Sequence, residues 1–212
     1  MMMGGARPML ARIPDIRFWK LCGAGKGEGF NPTVNPFTIA ILATWDTAEL
    51  ARDRTATSKI FQRYAQRSVE NWTVFLQARS VRGAWDGKTP FEAAEAQADG
   101  PMAALTRASI RKSAVWQFWR QVPDISANIG ADPNVMFTAG IGDLPMLDQI
   151  TFSIWPDKAT MDGFARTGPH GAAIKAVREG NWFSEELFAR FAVHSDRGTW
   201  NGTSPLKQLE AA

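Results

Sequence analysis

One cysteine, two histidines and a single tyrosine stand in 212 residues, and each scarcity removes a class of function. The lone Cys22 excludes an intrachain disulfide framework and any cysteine-based zinc site, so a reducing interior is the default compartment. The longest apolar run, Phe37 to Trp45, is nine residues and holds two threonines. A bilayer span needs ~20. No basic-then-apolar leader follows Met1-Met2-Met3-Gly4-Gly5, so no signal peptide is expected. A net charge of +3, with Lys and Arg dispersed among acids, leaves nucleic-acid binding without an electrostatic footprint. No serine carries a nucleophile-elbow signature. The glycine-rich stretch Gly23-Ala24-Gly25-Lys26-Gly27-Glu28-Gly29 lacks the Gly-Lys-Ser/Thr ending of a phosphate loop. Asn31-Pro32 and Asn35-Pro36 then prevent a helix from starting behind it.

Tryptophan and internal repetition are what the chain has in excess. Nine Trp supply large rigid apolar area, each with one N–H that needs a partner when buried. Several of them recur. Trp45 maps to Trp155 and Asn71-Trp72 to Asn181-Trp182 at an offset of 110; Gly83-Ala84-Trp85-Asp86-Gly87 maps to Gly198-Thr199-Trp200-Asn201-Gly202 at 115, and Pro90 to Pro205 likewise. That period exceeds the ~20–50 residues of a solenoid unit and reads as a duplicated small domain.

The second copy gives the element order most clearly. Met102 to Ile110 reads as a strand, and Lys112 to Asn128 as a helix with Ala114, Val115, Phe118, Trp119 and Val122 on its apolar stripe. Val135 to Gly140 is a strand, and Ile150, Phe152 and Ile154 alternate with Thr151 and Ser153 as a half-buried one. A helix to about Arg166 follows, then another from Pro169 that stops at Gly180, and a closing strand over Leu187 to His194. Strand, helix, strand, strand, helix, strand is the ferredoxin-like order. In the first copy, strands at Ile16 to Cys22, Phe37 to Trp45 and Trp72 to Arg79 and a helix from Asp46, with Asp46 and Glu49 as a capping pair, have counterparts. Nothing matches Met102 to Ile110, so the first strand of copy one is expected to be absent. The expected organisation is an α+β chain of two ferredoxin-like copies: residues 1–91, a linker at 92–101, and residues 102–212.

His170 shares a helical face with Ala173, Ile174 and Val177. An imidazole in the first turn of a helix meets the positive end of the dipole, which disfavours protonation and keeps a nitrogen lone pair available, as an axial ligand to iron requires. A core or capping histidine is the competing role on spacing alone. The offset of 110 places Ile60 at the equivalent position, so the fold itself does not require a histidine there. His194, followed by Ser195-Asp196-Arg197, reads as a rim residue at a strand end.

Phe18-Trp19-Lys20-Leu21, Gly25-Lys26-Gly27-Glu28-Gly29-Phe30, Trp72-Thr73-Val74-Phe75-Leu76, Leu105-Thr106-Arg107-Ala108, Gln149-Ile150-Thr151-Phe152-Ser153-Ile154-Trp155 and Gly168-Pro169-His170 together resemble the spheroidene monooxygenase family of acyclic carotenoid 2-ketolases, from about Pro8 to Leu206. The resemblance implies a duplicated dimeric α+β barrel that binds haem b. It further implies oxygen insertion from O2 at C2 of an acyclic carotenoid such as spheroidene, with reduced ferredoxin as electron donor and a ketone as product. The family's motif histidine falls on His170, as metal ligand and cofactor-binding residue. Arg107 and Gln149, with Arg111 and Arg190 behind them, are candidates for the distal side. A cytoplasmic protein in peripheral contact with the inner membrane would reach such a substrate. The competing functions are another haem enzyme of the same barrel class, of dehydratase or peroxidase type, and a non-enzymatic haem or apolar-ligand binding module.

Overall fold

The computed structural model describes residues 2–25, 34–95, 100–120, 132–144, 146–166, 177 and 179–209. In chain order these form α1 (Met2–Leu10), β1 (Phe18–Gly25), β2 (Val34–Thr44), α2 (Ala48–Thr57), α3 (Lys59–Arg67), β3 (Trp72–Gly83) and β4 (Met102–Ile110). There follow a 3-10 turn (Lys112–Ala114), helical residues 115–120 (α4), β5 (Phe137–Gly142), β6 (Asp148–Trp155), α5 (Lys158–Arg166), β7 (Phe183–Gly198) and a terminal 3-10 turn from Pro205. The fold is α+β around one seven-stranded sheet of order β2-β1-β5-β6-β4-β7-β3.

The second copy is a complete ferredoxin-like unit. Its strands lie in the order β5-β6-β4-β7, which is second, third, first, fourth along the chain. The neighbours β5/β6, β6/β4 and β4/β7 are all antiparallel. The first copy contributes β1, β2 and β3, and among the described residues it has no strand equivalent to β4. In the sheet order, β2 and β3 are the terminal strands.

By its contacts the chain divides into two compact units: Met1–Leu21 with Ile41–Leu76 and His194–Ala212, and Cys22–Ala40 with Gln77–Val193. In the first unit, Ala6, Leu10 and Ile13 recur at helical spacing on α1 and its exit and are buried, with α1 packed against α3 and its buried Ile60. Arg54 joins Asp15 at 2.8 Å, while the guanidinium groups of Arg52 and Arg197 lie over Phe75. In the second unit the core is built on both faces of β4 and β6.

Several boundaries differ from those the sequence suggests, for local reasons. The N-cap of α2 is Thr47, whose hydroxyl accepts the Leu50 N–H at 3.2 Å. Asp46 is drawn instead into a two-point bond with Arg17 at 2.7 and 2.6 Å, so the Asp46–Glu49 capping pair does not form. The helix after it is two helices, because Ser58 takes an extended conformation between them. β6 lies between β5 and β4, so Asp148 to Ile150 and Ser153 to Trp155 are buried on both faces and the expected alternation is lost. Gly23 and Ala24, read as a loop, belong to β1 and pair with Gly142 and Ile141 of β5. Residues 26–33 of the glycine-rich stretch lie outside the described residues.

The internal alignment also shifts. Trp85-Asp86-Gly87-Lys88 and Trp200-Asn201-Gly202-Thr203 are equivalent tight turns, each closed by its own bridge, with positive φ at Asp86/Gly87 and Asn201/Gly202. The Glu185 carboxylate accepts the N–H groups of Asp86 and Gly87, and Glu70 accepts those of Asn201 and Gly202. A Cβ on Gly83 would fall 2.0 Å from the Glu186 carbonyl oxygen, and one on Gly198 would fall 2.1 Å from that of Asn71. Glu70-Asn71 is therefore the counterpart of Glu185-Glu186, at the offset of 115, and the five-residue insertion precedes the last strand. Trp72 and Trp182 consequently do different work: the Trp72 indole donates to Asp196, whereas Trp182 packs with Ile110, Ala114 and Phe118.

Candidate functional site

Strand alternation sorts the side chains of β5, β6, β4 and β7 onto two faces. One carries Phe137, Ile141, Ile150, Phe152, Ile154, Leu105, Leu187 and Phe191 in register, the bulky composition of a packed core. The other carries Thr138 and Gly140 on β5, Gln149, Thr151 and Ser153 on β6, Ala104, Thr106 and Ala108 on β4, and Glu186, Phe188 and Arg190 on β7. Its centre is a floor of small residues.

Two apolar clusters bound this floor. At one end Met102 and Trp155 pack with Met161 and Phe164 of α5, the Trp155 and Phe164 ring centroids lying 5.0 Å apart. The Trp155 indole N–H is satisfied within its own strand by the Ser153 hydroxyl at 2.9 Å. Arg190 is held at this end by Asp162 of α5 at 2.9 Å. At the other end Ile110, Ala114, Phe118 and Trp182 pack with Val115, Trp119, Val177 and Phe183. Between them Ala104, Thr106, Thr151 and Phe188 stay half-buried. Around them Ala108, Gly140, Gln149 and Ser153 are buried. A cleft of about 450 Å³ opens beside β7, lined by Val177, Phe183 and Phe188 and as much by polar groups, among them Arg82, Glu185 and Glu186; the Arg82 guanidinium lies 4.9 Å from the Phe188 ring centroid. The cleft can take a ligand with an apolar body and a polar end.

The candidate residues fall in three places. Gln149 is nine-tenths buried on the small-residue face. Arg107 pairs in register with Ile150 and so points to the opposite face. There it is 2% exposed, bonded to Glu185 and, at 2.9 Å, to Asp148, with Asp86 at 3.5 Å and the Trp85 ring centroid at 5.5 Å. Arg107 and Gln149 are therefore not brought together. Arg111 bonds through Nε to the Asn181 carbonyl. His194 is exposed on β7, in the unit that does not contain the floor. His170 lies outside the described residues, as do Gly168 and Pro169.

The charges around Arg107 are unequal. Burial pushes the Asp148 carboxyl up, although the Ser109 hydroxyl and the Arg107 charge draw it down. Burial raises Glu185 as well, but the N–H groups of Gly87 and Asp86 together with Arg107 outweigh it and hold the carboxyl below its usual range. The cluster thus seats the Trp85 turn on β7 from beneath the sheet. The Glu185–turn bond was legible in principle, since carrying the offset of 115 backward from Gly83 and Gly198 reaches Glu70 and Glu185. The floor has a signal too: positions 104, 106 and 108 of β4 are all small.

The chain is 47% identical over 203 residues to the spheroidene monooxygenase of Cereibacter sphaeroides, covering 94% of this chain and 63% of that protein. It is 47% identical over 197 residues to that of Rhodobacter capsulatus, covering 91% and 82%, and 35% identical over 200 residues to that of Rubrivivax gelatinosus, covering 94% and 77%. It thus spans less than two thirds of the length of the Cereibacter protein. No protein-family model matches the chain. Identity at this level over nearly all of its residues places the chain in the spheroidene monooxygenase family.

Proposed function

We propose that the chain is a haem-dependent monooxygenase that inserts oxygen from O2 at C2 of an acyclic carotenoid such as spheroidene and yields a ketone. The observation that carries this reading is the floor of Ala104, Thr106, Ala108, Gly140 and Thr151 between two aromatic clusters, in a chain of that family. A long conjugated chain offers only apolar surface along most of its length, and a floor of methyls and hydroxyls flanked by indole and phenyl rings suits it.

A haem would bring four nitrogens of its own and would ask one donor of the protein. His170 is that donor in this reading, in the ten-residue segment between Arg166 of α5 and Val177 of the Trp182 cluster. When bound, the haem supplies the activation of O2.

The chain's own residues do the rest. The two aromatic clusters exclude water from the reacting carbon, and the small-residue floor lets the polyene lie close. Gln149, buried on the small-residue face, would donate a hydrogen bond to an oxygen atom held there, and Arg82 at the cleft would meet the polar end of the substrate. Two hydroxylations at one carbon, each consuming one O2, two electrons and two protons, give a geminal diol that loses water to the ketone. Reduced ferredoxin supplies the electrons. A dehydratase or peroxidase, or a binding module without turnover, would retain the ligand without forming this product.

The test is conversion of an acyclic carotenoid by the full chain supplied with haem, ferredoxin, its reductase and O2. A ketone is expected, and Thr106→Leu and Thr151→Leu should each lower turnover by about tenfold or more while leaving the fold intact, because the added side chain occupies the slot. Binding without product, or full turnover in both variants, would contradict the reading.

A further inference from the structure

Trp116, Leu144 and Met146 are 68, 54 and 49% exposed, which is unusual for residues of this size. They lie together. Trp116 and Trp119 are one helical turn apart on α4, and the Trp119 indole N–H donates to the Met146 carbonyl in the β5–β6 turn at 3.0 Å. Cations surround them: Arg111, Lys112 and Arg120 are exposed on the same stretch, with the Arg120 guanidinium 4.4 Å from the Trp116 ring centroid.

We infer that this patch is where the protein seats on an anionic bilayer surface. Indole rings prefer the headgroup level, where the apolar body meets the acyl boundary and the N–H stays hydrated, and basic residues beside them add attraction to anionic lipid. A second copy of this chain is a poorer occupant, because a two-fold contact through the patch would set Arg120 and Lys112 against their own like charges. The patch is also continuous with the candidate site. Trp119 meets Phe118 edge-on with ring centroids 5.4 Å apart, Phe118 meets Phe183 at 5.6 Å, and Phe183 lines the cleft with Val177 and Phe188. A run of packed rings thus links the exposed surface to the cleft beside β7. The use of the patch to load an apolar substrate from the bilayer rests on the proposed function; the docking itself does not.

The experiment is co-sedimentation of the full chain with vesicles of phosphatidylcholine alone and with about one third phosphatidylglycerol. The chain should sediment with the anionic vesicles, less at high salt. The pair Trp116→Ser and Met146→Ser should lower the partition coefficient by about tenfold, and Lys112→Glu with Arg120→Glu should do the same, whereas Phe37→Ser, exposed elsewhere, should not. Turnover of detergent-dispersed carotenoid should be equal in the wild type and the apolar pair. No sedimentation of the wild type, undiminished sedimentation of both paired variants, or a self-association abolished by these variants without vesicle binding would overturn the inference. Vesicle binding with the expected losses, but no carotenoid turnover under any condition, would leave the docking surface standing and count against the proposed function alone.

Discussion

Glu185 and Gly87 are joined by a 2.8 Å hydrogen bond from the glycine N–H to the carboxylate, and Glu70 and Gly202 repeat that bond at 2.7 Å. The repeated bond is a β-turn held by an anion from outside its own hairpin, Glu185 of β7 in one case and Glu70, just ahead of β3, in the other. In each case the turn's two central N–H groups, which point away from its own hairpin, find one carboxylate.

The bond gives stability a sign with pH. The N–H of Gly202, then the Thr199 hydroxyl and the N–H of Asn201, hold the Glu70 carboxyl below its usual range against a smaller effect of burial. A carboxyl whose folded pKa lies below its unfolded value contributes stability that is complete above the unfolded value, about 4.3, and is lost as pH falls through the folded one. The melting temperature should therefore fall on acidification below about pH 5, and Glu70→Gln with Glu185→Gln should flatten that part of the curve. An unchanged acid limb in the double variant would contradict it.

Close approach at the start of each turn should make two glycines irreplaceable. Gly83→Ala and Gly198→Ala place a methyl about 2 Å from a backbone carbonyl oxygen, at φ of +94° and +88°. Each should cost roughly 3 kcal/mol in urea denaturation. Gly87→Ala, with nothing within 4 Å of its Cβ, should cost only about 1 kcal/mol. Equal losses at Gly83 and Gly87 would show that the docking of the turn does not matter.

Arg107→Met should be severe for a different reason. It leaves Glu185 and the buried Asp148 without their cation, a loss of about 3–5 kcal/mol for a buried pair broken on one side. Adding Asp148→Leu should recover part of it, because the stranded charge is then removed as well. No recovery in the double variant would mean that Arg107 acts through its packing on Trp85.

The order of strands and helices along the second copy was legible in the sequence because it depends on local patterning. Met102–Ile110 is found where its Thr, Ser and Ile place it. Relationships made across the sheet are less visible. Asp46 looks like a cap until Arg17, 29 residues away, takes it. Ile150 to Ile154 looks half-buried until β5 and β4 flank it. Arg107 and Gln149 both look available, and only the register puts them on opposite faces. The repeat itself misleads at Trp72 and Trp182, where an identical Asn-Trp pair outweighs a glutamate offset whose meaning is three-dimensional. His170, by contrast, rests on helical spacing, on the buried Ile60 in the first copy and on the family motif.

The central claim, that one imidazole of this chain holds a haem for oxygenation, is tested most directly by the absorption spectrum of the full chain produced with a haem supply, read before and after dithionite and carbon monoxide. The wild type should show the Soret band of bound haem, with a shift on reduction and again on carbon monoxide. His170→Ala should lose that band, or keep a form that added imidazole restores, without loss of fold. His194→Ala, at an exposed position on β7, should match the wild type. A wild type that binds no haem, or a His170→Ala variant with an unaltered spectrum and full turnover, would contradict the account.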